Sequence, residues 1–286
     1  MTPTLKTRRT FLTDLASAVG LLCVGGSCRD GEKDEPVFPD DLDLTSNIGT
    51  IHSLEIPLEL PSLSSQLFRD ALREDDSFIT RDVYFRNGKE TKTKIRLSDY
   101  LALRSRNHRV ASVLEYGPFL TTHPTITNLS LVLTDDCFSL EQAAQRILNY
   151  IHQGIVYDLS IEGEGQDYVR HPLETLVEGN GDCEDTTILG VALSRARNLD
   201  VVLIEFPPLP GSGLGHIGYG VVGDFHGAYF EVNEKKYFYA ETTGTEWLAN
   251  PSTGEIGGIS SDSIHQMVHI YTLHDTSPLK SPQKPL

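Results

Sequence analysis

The chain has 286 residues, 39% hydrophobic and 22% charged, which is too apolar for a disordered tail and too polar for an integral membrane protein. Its 24 Lys and Arg stand against 40 Asp and Glu, a formal net charge of -16, so the basic face needed to grip nucleic-acid phosphates is not expected and no nucleic-acid partner is assigned. Four cysteines with no CxxC pair argue against a disulfide scaffold and against a cysteine-type structural zinc site.

Residues 1–28 read as an export signal. Lys6, Arg8 and Arg9 form a basic head, and a mildly apolar stretch follows from Leu15 to Gly26, too short to span about 30 Å of hydrocarbon. The run Thr7-Arg8-Arg9-Thr10-Phe11-Leu12 resembles the twin-arginine motif of proteins exported in folded form. Cys28 follows Gly26-Ser27 as in a lipoprotein cleavage site, with Gly25 where Leu is usual, and is a candidate lipid anchor. The expected location is periplasmic or extracellular, with membrane anchoring through Cys28. Residues 29–47, acidic and broken by Pro36 and Pro39, read as a linker. Residues 276–286 read as a loose tail.

Residues 48–120 form a lead-in to which no role beyond packing is assigned. Helical apolar spacing occurs over Leu63–Leu72 and again over Leu97–Val110. Between them, Val83-Tyr84-Phe85, an Asn87-Gly88 turn and a Thr/Lys alternation to Ile95 predict a hairpin. Residues 121–275 carry the main domain. Ser139 with Gln142 predicts a capped helix whose apolar face is Ala143, Ile147, Leu148 and Ile151, ending near Gly154; a strand-like Ile155-Val156-Tyr157 follows. Val201–Phe206 reads as a continuous apolar strand, and a Pro/Gly-rich loop from Pro207 to Gly215 leads to a strand from His216 to Val222. Two more strands, near Tyr229–Val232 and Lys236–Ala240, flank a polar Asn233-Glu234-Lys235 turn.

The chemistry concentrates around Gly181-Asp182-Cys183-Glu184-Asp185. A polar glycine turn breaks into a helix containing Ile188, Leu189, Ala192, Leu193 and Ala196, with Asp182 as its cap and Cys183 in its first turn. The helix dipole there is worth only about 0.3–1 kcal/mol, so a histidine partner is required to activate the thiol. Antiparallel pairing would bring His216, at the head of its strand, near Glu241, at the tail of another. Cys183, His216 and Glu241 would then be nucleophile, base and orienting acid, with the thiolate persisting below the ordinary thiol range near 8.5. The alternative is an inert buried Cys183, or one paired with Cys137, which itself reads as a buried, apolar-like residue. His265 and His269 are four apart but lack the intervening Glu of HExxH. No metal and no cofactor is expected.

The blocks Pro172-x-Glu174-Thr175-Leu176, Gly181-Asp182-Cys183-Glu184-Asp185, Gly215-His216 and Tyr239-x-Glu241-Thr242-Thr243 together resemble the transglutaminase-like superfamily, and within it the prokaryotic transglutaminase-like cysteine proteases. The resemblance covers roughly residues 120–250. It departs at Glu241, where Asp is commoner, and at Tyr168-Val169, where relatives often carry Trp. It implies an α+β fold with a papain-like, transglutaminase-like core, the nucleophile helix packed on an antiparallel sheet behind a helical lead-in. It also implies a thiol enzyme acting on protein, peptide or cell-wall amides, by hydrolysis or acyl transfer. A non-catalytic peptide-binding module on the same fold is the rival reading.

Overall fold

The computed structural model describes residues 43–45, 48–56, 77–84, 90–158, 167–208, 215–243, 254–258 and 267–275. The export signal, most of the linker, the helical pattern at Leu63–Leu72, His265 and the tail lie outside these residues. Within the stretch read as linker, Leu44 is buried and its N–H donates to the carbonyl of Tyr229 at 3.0 Å. That stretch is thus packed by residue 44.

In chain order the elements are β1 (Ile48–Ile56), β2 (Phe78–Tyr84), β3 (Glu90–Arg96), α1 (Leu97–Arg104), β4 (Arg109–Val110), α2 (Pro124–Leu133), α3 (Leu140–Gly154), β5 (Val156–Tyr157), β6 (Asp167–Tyr168), α4 (Pro172–Glu178), β7 (Asn180–Gly181), α5 (Cys183–Ala196), β8 (Val201–Phe206), β9 (His216–Val222), β10 (Tyr229–Val232), β11 (Lys235–Ala240) and β12 (Val268–Asp275). Among the described residues the fold is thus mixed α+β, with five α-helices and a six-stranded sheet ordered β1-β12-β8-β9-β11-β10. Every pairing in that sheet is antiparallel except β1 with β12. No described helix is long and apolar enough to cross a membrane.

Local chemistry explains most of these elements. Ser139 caps α3 by accepting from the N–H of Gln142 (3.2 Å), while the Gln142 amide reaches back to the N–H of Phe138 (2.9 Å). The predicted face of α3, Ala143, Ile147, Leu148 and Ile151, is fully buried. The β2–β3 hairpin pairs Tyr84 with Glu90, its turn lying outside the described residues. Val232 pairs with Lys235, and Asn233 and Glu234 between them both take positive φ, 51° and 65°, the two-residue turn that suits the twist of a hairpin. The expected helix over Leu97–Val110 is shorter than its spacing suggests. It stops at Arg104 because Ser105 turns the chain, and Arg109–Val110 instead pair with Asp167–Tyr168. His269 lies in strand β12.

The sheet is apolar on both faces, which is why Val201-Val202-Leu203-Ile204 is a continuous run rather than an alternation. Val201 and Leu203 face the helices; Val202, Ile204 and Phe206 pack with Phe230, Val232, Tyr239, Val268 and Ile270 on the other side. Helix α5 is the hub. It packs on β8 and β9 and is covered by α2, α3 and α4, with the Ser130 hydroxyl of α2 donating to the Leu193 carbonyl (2.6 Å). Burying this helix end to end holds the start of α5, where Cys183 sits, in a fixed place against the sheet.

Candidate active site

The GDCED block has a separate physical reason at each position. Gly181 must lack a side chain, because a Cβ there would lie 2.6 Å from the Asp185 Cβ. The Asp182 carboxylate caps α5 by accepting from the N–H of Asp185 (3.2 Å). Cys183 is the first helical residue, buried, and its thiol donates to Glu184 Oε2 (2.9 Å). Asp185 is fully buried and accepts from the backbone N–H and the guanidinium of Arg170. The same guanidinium meets Glu178 of α4 (3.0 Å) and Asp158 beyond β5 (3.6 Å). Burial and the nearby Asp182 push the Asp185 carboxyl up, while Arg170 pulls it down. Arg170 thereby ties three segments to the first turn of α5, a role invisible in the local sequence.

The second half of the site lies at the ends of β9 and β11. Pairing of Ala240 with Tyr219 brings His216 to Glu241, and Nε2 of His216 lies 2.8 Å from Glu241 Oε2. Glu241 is buried, yet both its oxygens are satisfied. Oε2 also accepts from the Tyr239 hydroxyl (3.0 Å), and Oε1 accepts from the N–H (3.0 Å) and hydroxyl (2.7 Å) of Thr243. Burial alone would raise this carboxyl; His216 and the Thr243 donors outweigh it and hold Glu241 at about 2. Tyr239 reaches Glu241 because residue 218 is glycine: a Cβ there would lie 2.6 Å from the Tyr239 hydroxyl.

Thr242 joins the two halves. Its hydroxyl meets those of Thr186 (2.9 Å) and Thr187 (3.0 Å) in α5, and Thr187 also donates to the Ile217 carbonyl (3.1 Å). The Ile217 N–H in turn donates to the Cys183 sulfur, so the thiol rests against the head of β9, one residue from His216. On the other side, His152 of α3 donates to the Glu241 carbonyl (2.6 Å) and burial lowers its own pKa. Every polar residue of Tyr239-x-Glu241-Thr242-Thr243 therefore has a partner, Tyr239 and Thr243 sharing Glu241.

The thiol does not behave as anticipated. Burial first, then the charges of Glu184 and Asp182, push the Cys183 thiol well above its ordinary range, and the Ile217 N–H opposes this only in part. The expected resting thiolate is thus opposed first by burial and then by the two acids that flank the cysteine in sequence. Cys137 is half-buried rather than buried, and both it and Cys183 are free thiols.

A second buried cluster was not anticipated at all. His108, just before β4, places Nε2 2.7 Å from Glu174 Oε2 in α4, and His171 lies beside them at the N-terminus of that helix. Donor atoms of all three lie within 4.8 Å of one another. Burial, with Arg106 and His108 nearby, depresses His171 to about 4. Glu174 belongs to the PxETL block, but His108 is 66 residues away and no local pattern marks it.

No protein-family model and no curated protein matches this chain. Among solved structures, it is similar to a candidate cysteine protease from Cytophaga hutchinsonii at 14% identity and a TM-score of 0.33, the match covering 71% of this chain and 78% of that one.

Proposed function

We propose that this protein is a transglutaminase-like thiol enzyme with a papain-like core, cleaving or transferring acyl groups at amide bonds of a protein, peptide or cell-wall substrate. The observation that carries this reading is the part-buried His216–Glu241 pair, at 2.8 Å, beside a helix-initial cysteine whose sulfur accepts from Ile217. An ionised carboxylate only accepts hydrogen bonds, so Glu241 fixes the His216 proton on Nε2 and leaves Nδ1 as the basic nitrogen. His216 Nδ1 takes the Cys183 proton as sulfur attacks the amide carbonyl. The oxyanion is received by the Cys183 N–H, which as a first-turn donor has no intrahelical acceptor. His216 then returns the proton to the departing amine, leaving a thioester that water or a second amine resolves. General acid–base transfer of this kind contributes about 10²–10⁴-fold and one oxyanion donor about 10²–10³-fold. Because the resting thiol is protonated, His216 acts as a general base rather than as half of a standing ion pair.

The test is covalent capture with an amide-type acylating probe directed at thiols, located by peptide mass spectrometry. Labelling is expected at Cys183, and is expected to be lost in His216→Ala while the thiol remains accessible in denaturant. Labelling independent of His216, or full biological activity in Cys183→Ala, overturns the enzyme in favour of a peptide-binding module. We also propose export by the twin-arginine route, supported by Arg8-Arg9-Thr10-Phe11-Leu12. Unchanged fractionation of the Arg8→Lys, Arg9→Lys double variant would sink it, and Cys28→Ser decides whether lipid attachment holds the protein at the membrane.

A further inference from the structure

We infer that His108, His171 and Glu174 form a structural site for a first-row divalent metal ion of the zinc type, separate from the Cys183 centre. The three residues are 3%, 2% and 0% exposed, and their donor atoms lie within 4.8 Å of one another. Two imidazoles and a carboxylate are a donor set that suits zinc, with one further position open to water. Tetrahedral ligands at about 2.1 Å from the ion stand roughly 3.4 Å apart, so on binding the His108–Glu174 contact, at 2.7 Å, opens slightly while any wider separation, none above 4.8 Å, closes.

Hydrogen-bond accounting supports an ion over a simple polar contact. His108 Nδ1 lies 2.8 Å from the Arg106 carbonyl, which can only accept, so Nδ1 carries the proton and a neutral ring presents the Nε2 lone pair. That lone pair faces Glu174 Oε2 at 2.7 Å, and a carboxylate also only accepts. A positive species must stand between them. A proton would satisfy that contact alone. It leaves Glu174 Oε1 buried with no hydrogen-bond partner among the described residues, and a buried polar group left unpaired is costly, more so when charged. A metal ion accounts for both oxygens together. The Nδ1–H to backbone carbonyl bond is also the usual outer support of a metal-binding histidine.

The surroundings are stiff and reachable. The His108 ring stacks on Tyr168 at 4.7 Å, and the His171 ring packs on Phe119 at 4.6 Å, so both donors are held without the metal. A cleft of about 160 Å³, bordered by Asp99, Arg106, His123 and His171, reaches the cluster at His171. An ion bound there would clamp the loop before β4 onto α4, the helix that leads through β7 into Cys183.

Zinc titrated into the EDTA-treated full chain tests this, in a Cys183→Ala background that removes the thiol of the proposed active site and makes the result independent of the proposed enzymatic activity; binding through a remaining cysteine is read by the cobalt spectrum below. Calorimetry is expected to show one zinc per chain, and zinc is expected to raise the melting temperature. Adding the near-isosteric Glu174→Gln is expected to weaken binding at least about 100-fold, beyond the usual loss from an outer-support mutation, and to abolish the thermal shift. Cobalt substitution of the Cys183→Ala parent reads the donors with no further variant: a visible spectrum lacking thiolate-to-metal charge transfer is expected. Absence of stoichiometric zinc, unchanged affinity in Glu174→Gln, or a thiolate charge-transfer band would each overturn the site.

Discussion

Glu241 and Glu174 are both buried carboxylates, and each faces the Nε2 of a histidine, at 2.8 Å and 2.7 Å. They differ in how the rest of each carboxylate is used. Glu241 accepts from His216, Tyr239 and, twice, Thr243, so both oxygens are matched by protein donors. Glu174 Oε2 faces His108 Nε2 and accepts from the His171 N–H (3.0 Å), and Oε1 has no described donor. A carboxylate surrounded by donors has its charge and direction fixed by the protein, which suits an acid that must orient an imidazole. A carboxylate with one unmatched oxygen keeps coordinating capacity in a place where water is excluded. Similar pairwise distances thus conceal two kinds of site, and counting donors at every oxygen separates them.

The largest expected effect comes from neutralising the donor-rich member. Glu241→Gln keeps the shape but removes the charge that stabilises imidazolium and offers an amide donor where His216 and Tyr239 already donate. Amide turnover is expected to fall by about one to three decades, within the roughly 10⁴-fold known for neutralising the acid of a serine-based triad. Glu241→Asp should also lose activity, because shortening draws the carboxylate away from donors that are themselves anchored. Acid stability gives a second reading of the same group. Folded Glu241 titrates near 2 against an ordinary 4.5, so its stabilisation is complete above about 4.5 and is lost as pH falls toward 2. Acid unfolding followed by circular dichroism should therefore be shallower in Glu241→Gln over that interval. Identical acid profiles in the two proteins would break the contrast.

Tyr239→Phe comes next, since it removes one donor and keeps the ring that packs edge-on against Phe206 at 5.4 Å. A hydrogen bond to a charged group is worth about 1.5–3 kcal/mol, so a loss of that order in stability, by urea unfolding at pH 7, is expected. The acid-sensitive interval should move upward, because a donor that favoured the ionised form is gone. No movement of that interval would mean the Tyr239 hydroxyl does not hold the charge.

The first of these partners was legible in the amino-acid order and the second was not. Capping, turn and nucleophile signals act over three or four residues, so Ser139, Asp182, Cys183 and the turn at Asn233-Glu234 stand out directly. His216 and Glu241 could be placed together because β9 and β11 are neighbouring antiparallel strands, and the pairing follows from their lengths. Arg170 acts on Asp185 across 15 residues and His108 on Glu174 across 66, with no periodicity to announce either. The parallel joining of β1 to β12, with Thr272 donating to the His52 carbonyl 220 residues away, is likewise decided only when the core closes. The state of the Cys183 thiol was misjudged for a local reason. The place of Cys183 in the first turn of a helix is legible, but burial, the largest influence on it, cannot be seen from sequence.

That misjudgement yields the third expectation. Glu184 raises the Cys183 thiol both by its charge and by accepting the S–H proton. Glu184→Gln removes the charge, so thiolate should form at lower pH and iodoacetamide alkylation of folded Cys183 at pH 7 should accelerate several-fold. Wild-type labelling should stay slow at pH 6 and climb only in the alkaline range. Equal rates in the two proteins would place the control of the thiol elsewhere than Glu184.

The smallest expected effect is at Thr243, the residue that supplies Glu241 Oε1 with both a backbone and a hydroxyl donor. Thr243→Ala removes the hydroxyl and the methyl, and the N–H at 3.0 Å remains. Thr243 is only partly buried, so water can replace part of what is lost. The cost should therefore sit near the ordinary hydrogen-bond value of about 1 kcal/mol, some fivefold in turnover if it is all expressed in orienting His216. Thr243→Ser restores the hydroxyl without the methyl and should recover most of that loss, whereas a packing role for the methyl would leave Ser as impaired as Ala. Combining Thr243→Ala with Tyr239→Phe leaves Glu241 with His216 on one oxygen and a single backbone N–H on the other. The two sites share Glu241, so their effects should not simply add. If orientation depends on the full set of donors, the double variant should lose more than the sum of the single losses, and its acid-sensitive interval should lie above that of either single variant. Strict additivity in both measurements would show that each donor acts on Glu241 alone, and that the donor set as a whole confers nothing on His216.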